Sequence, residues 1–507
     1  MIISLSVLVI TIIVSGTYAL YKAQLSKNIG VNTTTHGLAY YINYVKGTDI
    51  TAATLNPSTS YEGGASSDIE FWKKDDSYDI YGKIELTVNT IGTNLSNSPA
   101  LKYAVVNNGN VLKEGSLKGT TSGSKVTILK NLYLEQTKQI YTVYVWLDNS
   151  EELGNISNES LSISVDCTAS LQKEPTAADT IISLYTSAAK VTATNNSITY
   201  NTAPSVSLMN DRLGGTTTSL DGGNIRYYGA SPNNYIYFNC SDYSNQTSST
   251  CETWRIIGVF DGKLKLIRGS QIGKYSWDNK NTSTGAENNS GKNDWTTARL
   301  MKLLNPRDYY KVDSNDNNLG QSLYYNSASG KCYSGQNNAT VDCDFTSTGI
   351  KNDETRNMIA ETTYYLGGWN SYSVYPNEIY EYERGTTVYS GRPTTWKGKI
   401  ALAYPSDYGY AADLNQCKDK TLYDYDNSTC TSNNWMKAIL GTSSHGWLLT
   451  PRSGGSYNAW NVYSGGYVGS TYLAYYAIGA VPVLSLSSKL GIESGDGSSS
   501  NPYKLSA

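Results

Sequence analysis

Six of the seven cysteines fall into three local pairs: Cys240 with Cys251, Cys332 with Cys343, and Cys417 with Cys430. The first two pairs bracket polar, turn-forming stretches, SDYSNQTSST and YSGQNNATVD. Six cysteines permit many connectivities, but local closure fits best, because each pair suits a stapled hairpin or loop. Each staple would contribute about 3 kcal/mol by restricting the unfolded chain. Zinc is the competing reading. It fits poorly, because the spacings are not of the C-x2-C kind and no second His or Cys cluster lies nearby in sequence. Disulfides place the chain in an oxidising compartment outside the cytosol. Cys167 is left over at the end of the alternating run Leu161, Ile163, Val165, as a small buried or edge residue.

A chain of 507 residues is too long for one ordinary core and predicts two or three domains. The net charge of -3 gives no argument for nucleic acid or for an anionic membrane surface. Only 16% of residues are charged, so Asn, Ser, Thr and Gly must carry the surface. Tyr numbers 44 against 4 Phe. Tyr can be half-buried with its hydroxyl wet, which suits thin, sheet-rich domains. His36 and His445 are the only histidines, leaving little room for histidine chemistry.

Along the chain, residues 1–21 read as a signal peptide or a single membrane anchor, since Ile2 to Tyr21 is nearly continuous apolar sequence without charge. Residues 30–172 read as an all-β module. Ile84, Leu86 and Val88 alternate with Lys83, Glu85 and Thr87, and Ile140 to Leu147 is a buried strand. Asn107 to Asn110 is a turn signal, and the spacing predicts a β-sandwich. Residues 173–223 read as a junction, with Thr176 or Asp179 capping a short helix.

From Asn224 the second domain begins. Thr253 to Phe260 and Lys263 to Arg268 flank Asp261-Gly262 as a tight hairpin. Asp294 is expected to cap a helix through Leu304. A second helix is expected from Asn352 to Leu366, turning Met358, Ile359, Tyr365 and Leu366 inward. Trp435 to Leu440 reads as a short helix ended by Gly441. Residues 491–507 read as a tail.

Trp447 to Leu486 has apolar ends and a different middle. Between Arg452 and Ala477, Tyr, Ser, Gly and Asn make up 17 of 26 residues, a mixture poor at building a core. Tyr supplies stiff, amphipathic contact area, while Ser, Gly and Asn supply adaptable hydrogen bonds, the palette of antibody paratopes. The expected contact residues are Tyr457, Asn458, Trp460, Tyr463, Tyr467, Tyr472, Tyr475 and Tyr476. Strand alternation should split them into outward and inward sets, with Trp460 the first to turn inward.

Certain motifs occur in a definite order. They are WRIIGV at Trp254, W-x(3)-R-L-x(2)-L-L-N at Trp295 to Asn305, KIALAYPSDYGY at Lys399 to Tyr410, GWLLTP at Gly446 to Pro451 and GAVPVLSL at Gly479 to Leu486. Across roughly 224–490 this resembles bacterial surface domains of unassigned function, related to the formylglycine-generating-enzyme branch of the C-type-lectin-like fold. The resemblance implies an α+β domain with two main helices, short strands and much loop. In that fold, variable proteins of diversity-generating retroelements place a mutable patch late in the domain, which here would be Ser453 to Ala477. The N-terminal module is similar to sandwich domains of the camelysin and TasA type. The expected fold class is thus an all-β sandwich followed by an α+β C-type-lectin-like domain, behind an N-terminal membrane or signal helix.

The related enzymes use a late pair of cysteines with copper, and this chain has no cysteine after Cys430. Catalysis is therefore not expected. Glu378, Glu381 and Glu383 are expected on a Tyr-rich loop, and the Asp313 to Asn318 run lacks the Gly and Glu of an EF-hand. No cofactor is expected, although lectin-like folds often carry structural calcium. The expected function is a cell-surface or secreted, adhesin-like protein. Its partner would be a glycan or protein ligand on another cell or surface, and residues 2–21 would hold the membrane if uncleaved. A matrix or filament component and an enzyme of unrecognised type are the alternatives.

Overall fold

Period-two burial runs through the N-terminal half. Strand Tyr81–Ile91 buries Gly82, Ile84, Leu86 and Val88 and turns the intervening residues toward water. Strand Ala65–Lys73 does the same, as alternation in a half-buried strand requires. The computed structural model describes residues 23–24, 41–51, 55–151, 153–156, 159–212, 223–279, 289–311, 320–332, 341–442 and 444–506. The apolar segment 2–21, the Asp313 to Asn318 run and His36 lie outside the described residues.

The chain divides into two units, Met1–Glu174 and Pro175–Ala507. In the first, Leu161–Ser170, Tyr81–Ile91 and Lys125–Tyr133 form one antiparallel sheet. Ile42–Val45, Ala65–Lys73, Ile140–Asp148, Leu101–Asn107 and Asn110–Ser116 form another. Both feed a single core: Ile84, Leu86, Val165 and Cys167 from one sheet meet Phe71, Val105, Val143 and Val145 from the other. Cys167 is buried and free, and burial pushes its thiol pKa up, so it stays a protonated packing residue.

In the second unit a nine-stranded sheet runs from Val191–Asn195 through Glu252–Phe260 and Lys263–Arg268 to Val483–Ser485 and Ile400–Ala401. Asp261 and Gly262 both take positive φ, 48° and 69°, giving the expected tight hairpin. A five-stranded sheet follows the order Gly273–Ser276, Ala477–Ala480, Gly446–Pro451, Asn458–Val462, Val468–Leu473.

Several expectations change here. Of the 173–223 junction, the described residues 175–212 are folded into the second unit. Helix Ala177–Ser187 and three strands lie within the second unit, and the strands join its large sheet. Thr176 and Asp179 form a reciprocal cap, with the Asp179 N–H donating to Thr176 Oγ1 at 3.1 Å and the Thr176 N–H to Asp179 Oδ2 at 2.9 Å. Residues 491–507 are not a free tail, since Gly491–Ser494 pairs with Lys504–Ser506 and Tyr503 and Leu505 are buried.

The helix expected from Asp294 begins only at Arg299, because the Asp294 side chain accepts from Thr296 and closes a turn instead. The second expected helix stops at Met358. Thr362–Tyr365, rich in β-branched and aromatic residues, becomes a strand paired with Thr395–Gly398 and leaves Tyr365 37% exposed. Glu378, Glu381 and Glu383 lie on helix Pro376–Arg384 rather than a loop. Pro376 opens that helix, and Glu378 accepts the Tyr375 N–H at 2.9 Å.

The molecule is thus β-rich, 39% strand against 15% helix, in several sheets. All three local cysteine pairs are closed as disulfides, which fits an extracellular or secreted protein. Among the described residues no helix is long and apolar enough to cross a membrane.

Candidate binding surface

The five-stranded sheet turns the Tyr-rich stretch into a platform. Trp447, Asn461 and Gly469 sit side by side across three strands. The connection Tyr463 to Tyr467 is a tight turn: the Tyr463 N–H donates to Tyr467 O at 2.9 Å and the Gly466 N–H to Tyr463 O at 2.8 Å. Gly466 has φ +102°, a conformation that side chains resist. The turn brings the Tyr463 and Tyr467 rings face to face, 4.2 Å apart and 13° from parallel. Gly469 makes room for this stack, because a Cβ there would lie 2.5 Å from Tyr463 Cε2.

Other rings extend the pair in both directions. On one side Tyr467 meets Tyr423 at 5.7 Å and Tyr423 meets Tyr372 at 4.7 Å. On the other, Tyr463 meets His445 at 4.5 Å and Tyr472 at 5.3 Å. Tyr472 reaches Tyr476 at 5.3 Å, and Tyr476 reaches Tyr475 at 4.8 Å. Seven tyrosines and one histidine thus form one continuous run of rings. Tyr423 is 48% and Tyr476 38% exposed, and the other six are half-buried. No charged side chain belongs to the run.

The electrostatics keep four of these groups neutral. Burial raises the Tyr467 and Tyr472 hydroxyl pKa values, and a hydrogen bond with Tyr475 raises that of Tyr476. Each therefore keeps its proton and can donate or accept. Burial lowers the His445 pKa, and its Nδ1 accepts the Ser464 N–H at 3.1 Å, so the ring is neutral and fixed against the turn.

The run rests on a buried charge network. Asp407 is held by Arg226 at 3.1 Å and by Lys265, and Arg226 also pairs with Asp211 at 2.5 Å. Asp407 accepts the Tyr404 N–H at 2.9 Å and so caps helix Pro405–Tyr410. On that helix, Tyr408 donates its hydroxyl to Gly466 O at 2.6 Å, which ties the network to the turn. On the far side, the Cys417–Cys430 disulfide closes the loop carrying Tyr423, and buried Leu422 and Tyr425 pin that loop down.

Of the eight expected contact residues, Tyr463, Tyr467, Tyr472, Tyr475 and Tyr476 join the run. Asn458 and Trp460 do not. Asn458 is buried and spends its amide on Thr471 O at 2.9 Å. Trp460 is fully buried beside Leu448, Val462 and Val468. Tyr457 is half-buried and stands apart from the rings. Sequence reasoning missed Tyr372, Tyr423 and His445. Tyr423 was signalled only by its place inside a cysteine loop, and Tyr372 by nothing local. Among the described residues no group of three or more His, Cys, Asp or Glu gathers.

No protein-family model matches this chain, and no curated protein does. Among solved structures it is similar to the CBM51-2 and INT domains of Clostridium perfringens ZmpB, solved with GlcNAc, at 13% identity and a TM-score of 0.12. That match covers 28% of this chain and 30% of the other. A point mutant of HCR/D matches at 12% identity and a TM-score of 0.15, covering 50% of this chain and 75% of its own. At these TM-scores neither likeness carries an argument about fold or ligand.

Proposed function

We propose that this is a secreted or cell-surface binding protein that holds a neutral glycan on the run of rings from Tyr372 to Tyr475. One observation carries the reading: eight aromatic rings in unbroken contact, with no charged side chain among them. Flat rings match the apolar faces of sugars, and the phenolic hydroxyls supply hydrogen bonds at the edges. Half-buried rings locked against one another lose little freedom on binding, which favours affinity. The proposed role is binding without turnover. The six cysteines of the second unit are all in disulfides, so none offers the reactive thiol that the related enzymes use.

The finer architecture belongs to the same proposal. A sandwich would carry a lectin-like head. Support comes from the shared core of two sheets in the first unit, and from short strands, short helices and ordered motifs in the second. A retroelement-diversified patch would confine natural substitutions between related loci to 453–477, and an even spread of substitutions would refute it.

The test is a glycan array and a surface-protein panel probed with the whole chain, made under oxidising conditions. Wild type and a Tyr463→Ala, Tyr467→Ala, Tyr472→Ala, Tyr475→Ala variant are compared after both are shown to melt cooperatively. Glycan binding lost in the variant supports the reading. Equal binding by both places the site elsewhere. Binding only to a protein keeps the surface and replaces the ligand class, while no binding on either panel puts the matrix role ahead.

A further inference from the structure

A cleft of about 490 Å³ opens beside the hairpin of Glu252–Phe260 and Lys263–Arg268. Its lining includes Tyr235, Glu252, Arg255, Arg268, Ser270 and Ala438. Two of its three charges already satisfy each other. Arg268 grips Glu252 with a fork, Nε to Oε2 at 3.0 Å and Nη2 to Oε1 at 3.1 Å. Trp254 Nε1 donates to the same carboxylate at 3.0 Å.

Arg255 is different. It is only 8% exposed, yet no carboxylate pairs with it. Its Nε donates to Asn234 Oδ1 at 2.5 Å and its Nη2 to Pro232 O at 3.3 Å. Its flat faces lie 3.7 Å from the Tyr235 ring centre and 4.8 Å from that of Trp435. The Tyr235 side chain adds a further, neutral hydrogen-bond partner. Burial without a counterion drags the guanidinium pKa down to about 10. The lining thus carries a surplus positive charge, held rigid by two aromatic rings and two acceptors.

We propose that this cleft binds a small carboxylate-bearing ligand whose carboxylate pairs with Arg255. A buried cation facing a solvent-filled cleft is the arrangement an oxyanion completes, and a planar guanidinium suits a planar carboxylate. The volume falls in the range of small-molecule sites. The hydroxyls of Thr253 and Ser270 are exposed at the edge and can meet polar groups on the ligand. This cleft is separate from the run of rings. Helix Lys437–Leu440 stands between them, with Ala438 and Ile439 lining the cleft and the Lys437 stem against Gly466. The proposal does not depend on the glycan reading.

The experiment is calorimetric titration of the full chain with glucuronic acid, with acetyl-dialanine as a peptide-terminal carboxylate, and with glucose as the neutral control. Two variants change the exposed wall residue Ala438 and leave Arg255 alone. Ala438→Glu places a competing carboxylate in the cleft, while Ala438→Gln adds the same bulk without charge. At least one acid should bind wild type, more weakly as salt rises, and glucose should not. Ala438→Glu should weaken that binding about ten-fold and Ala438→Gln by no more than about two-fold. The better acid identifies the source of the carboxylate. The proposal is overturned if neither acid binds folded wild type, if glucose binds equally, or if the Glu and Gln variants behave alike.

Discussion

At the scale of single residues, the run of rings depends on what is missing as much as on what is present. Gly469 leaves the space that the Tyr463 ring occupies, and the three heavy atoms nearest to an added Cβ all belong to that ring. A Gly469→Ala variant should therefore fold, since a flexible side chain can move away. It should displace Tyr463 and weaken ligand binding as much as Tyr463→Ala does. Melting curves together with array binding check this, and a variant that binds like wild type would show that the stack does not matter. Glycine at this position was visible in the sequence, but its reason was not. The clash involves a residue six positions away, brought over Gly469 by a turn and a strand bulge. Trp460 teaches the converse: it is expected to be the first to turn inward and is buried, in a strand, Asn458–Val462, whose residues are buried on both faces. Asn458 was read as a contact because Asn is polar, yet its amide is consumed by a neighbouring strand.

At the scale of elements, two devices hold the turn at Tyr463 to Tyr467 in place. Tyr408 reaches it from helix Pro405–Tyr410, and Tyr408→Phe removes only that hydrogen bond. The expected cost is about 1 kcal/mol of stability, with a larger proportional loss in binding as the turn loosens. Denaturant melts and titrations of the same samples separate the two effects. The second device is the Cys417–Cys430 staple under Tyr423. Replacing both cysteines by Ala should cost about 3 kcal/mol and free Tyr423 from Tyr467. A melting point within error of wild type would mean that buried Leu422 and Tyr425 hold the loop alone. Local signals worked well for elements closed by neighbours: the Thr176 cap, the Asp261-Gly262 hairpin and the three staples were all legible. They failed where an element chooses between two partners. Thr362–Tyr365 has helical spacing of apolar residues on paper, but Thr395–Gly398 offers it a ladder and the strand wins.

At the scale of the whole molecule, buried ionisable groups set a pH dependence. Burial pushes the carboxyls of Asp278 and Glu383 up to about 7. Their folded pKa values exceed the unfolded ones, so the folded state binds more protons between them. Their contribution to stability is then full at acid pH and is lost as pH rises from about 4 through 7. Glu383→Gln keeps an acceptor for the Ser406 N–H and an amide for Ser406 Oγ, the two groups that Glu383 holds at 2.9 and 2.5 Å. The variant should melt with a shallower fall between pH 5 and pH 8 than wild type. An unchanged slope would assign the dependence to other groups. His445 acts in the opposite sense: its pKa is lowered, so its contribution is lost as pH drops below 6.5. By itself the sequence determined the stapled cysteine pairs, the β-rich character and the tyrosine-rich stretch in which most of the ring run lies. Each rests on local spacing or composition, which chain connectivity alone reads out. Only the tertiary structure decided that residues 175–212 belong to the second unit and that Asn458 faces inward. It alone brought Tyr372, Tyr423 and His445 to the rings of Tyr463 to Tyr476. Those neighbours lie far apart along the chain, and only the pairing of strands and the closing of a distant loop place them within a few ångströms.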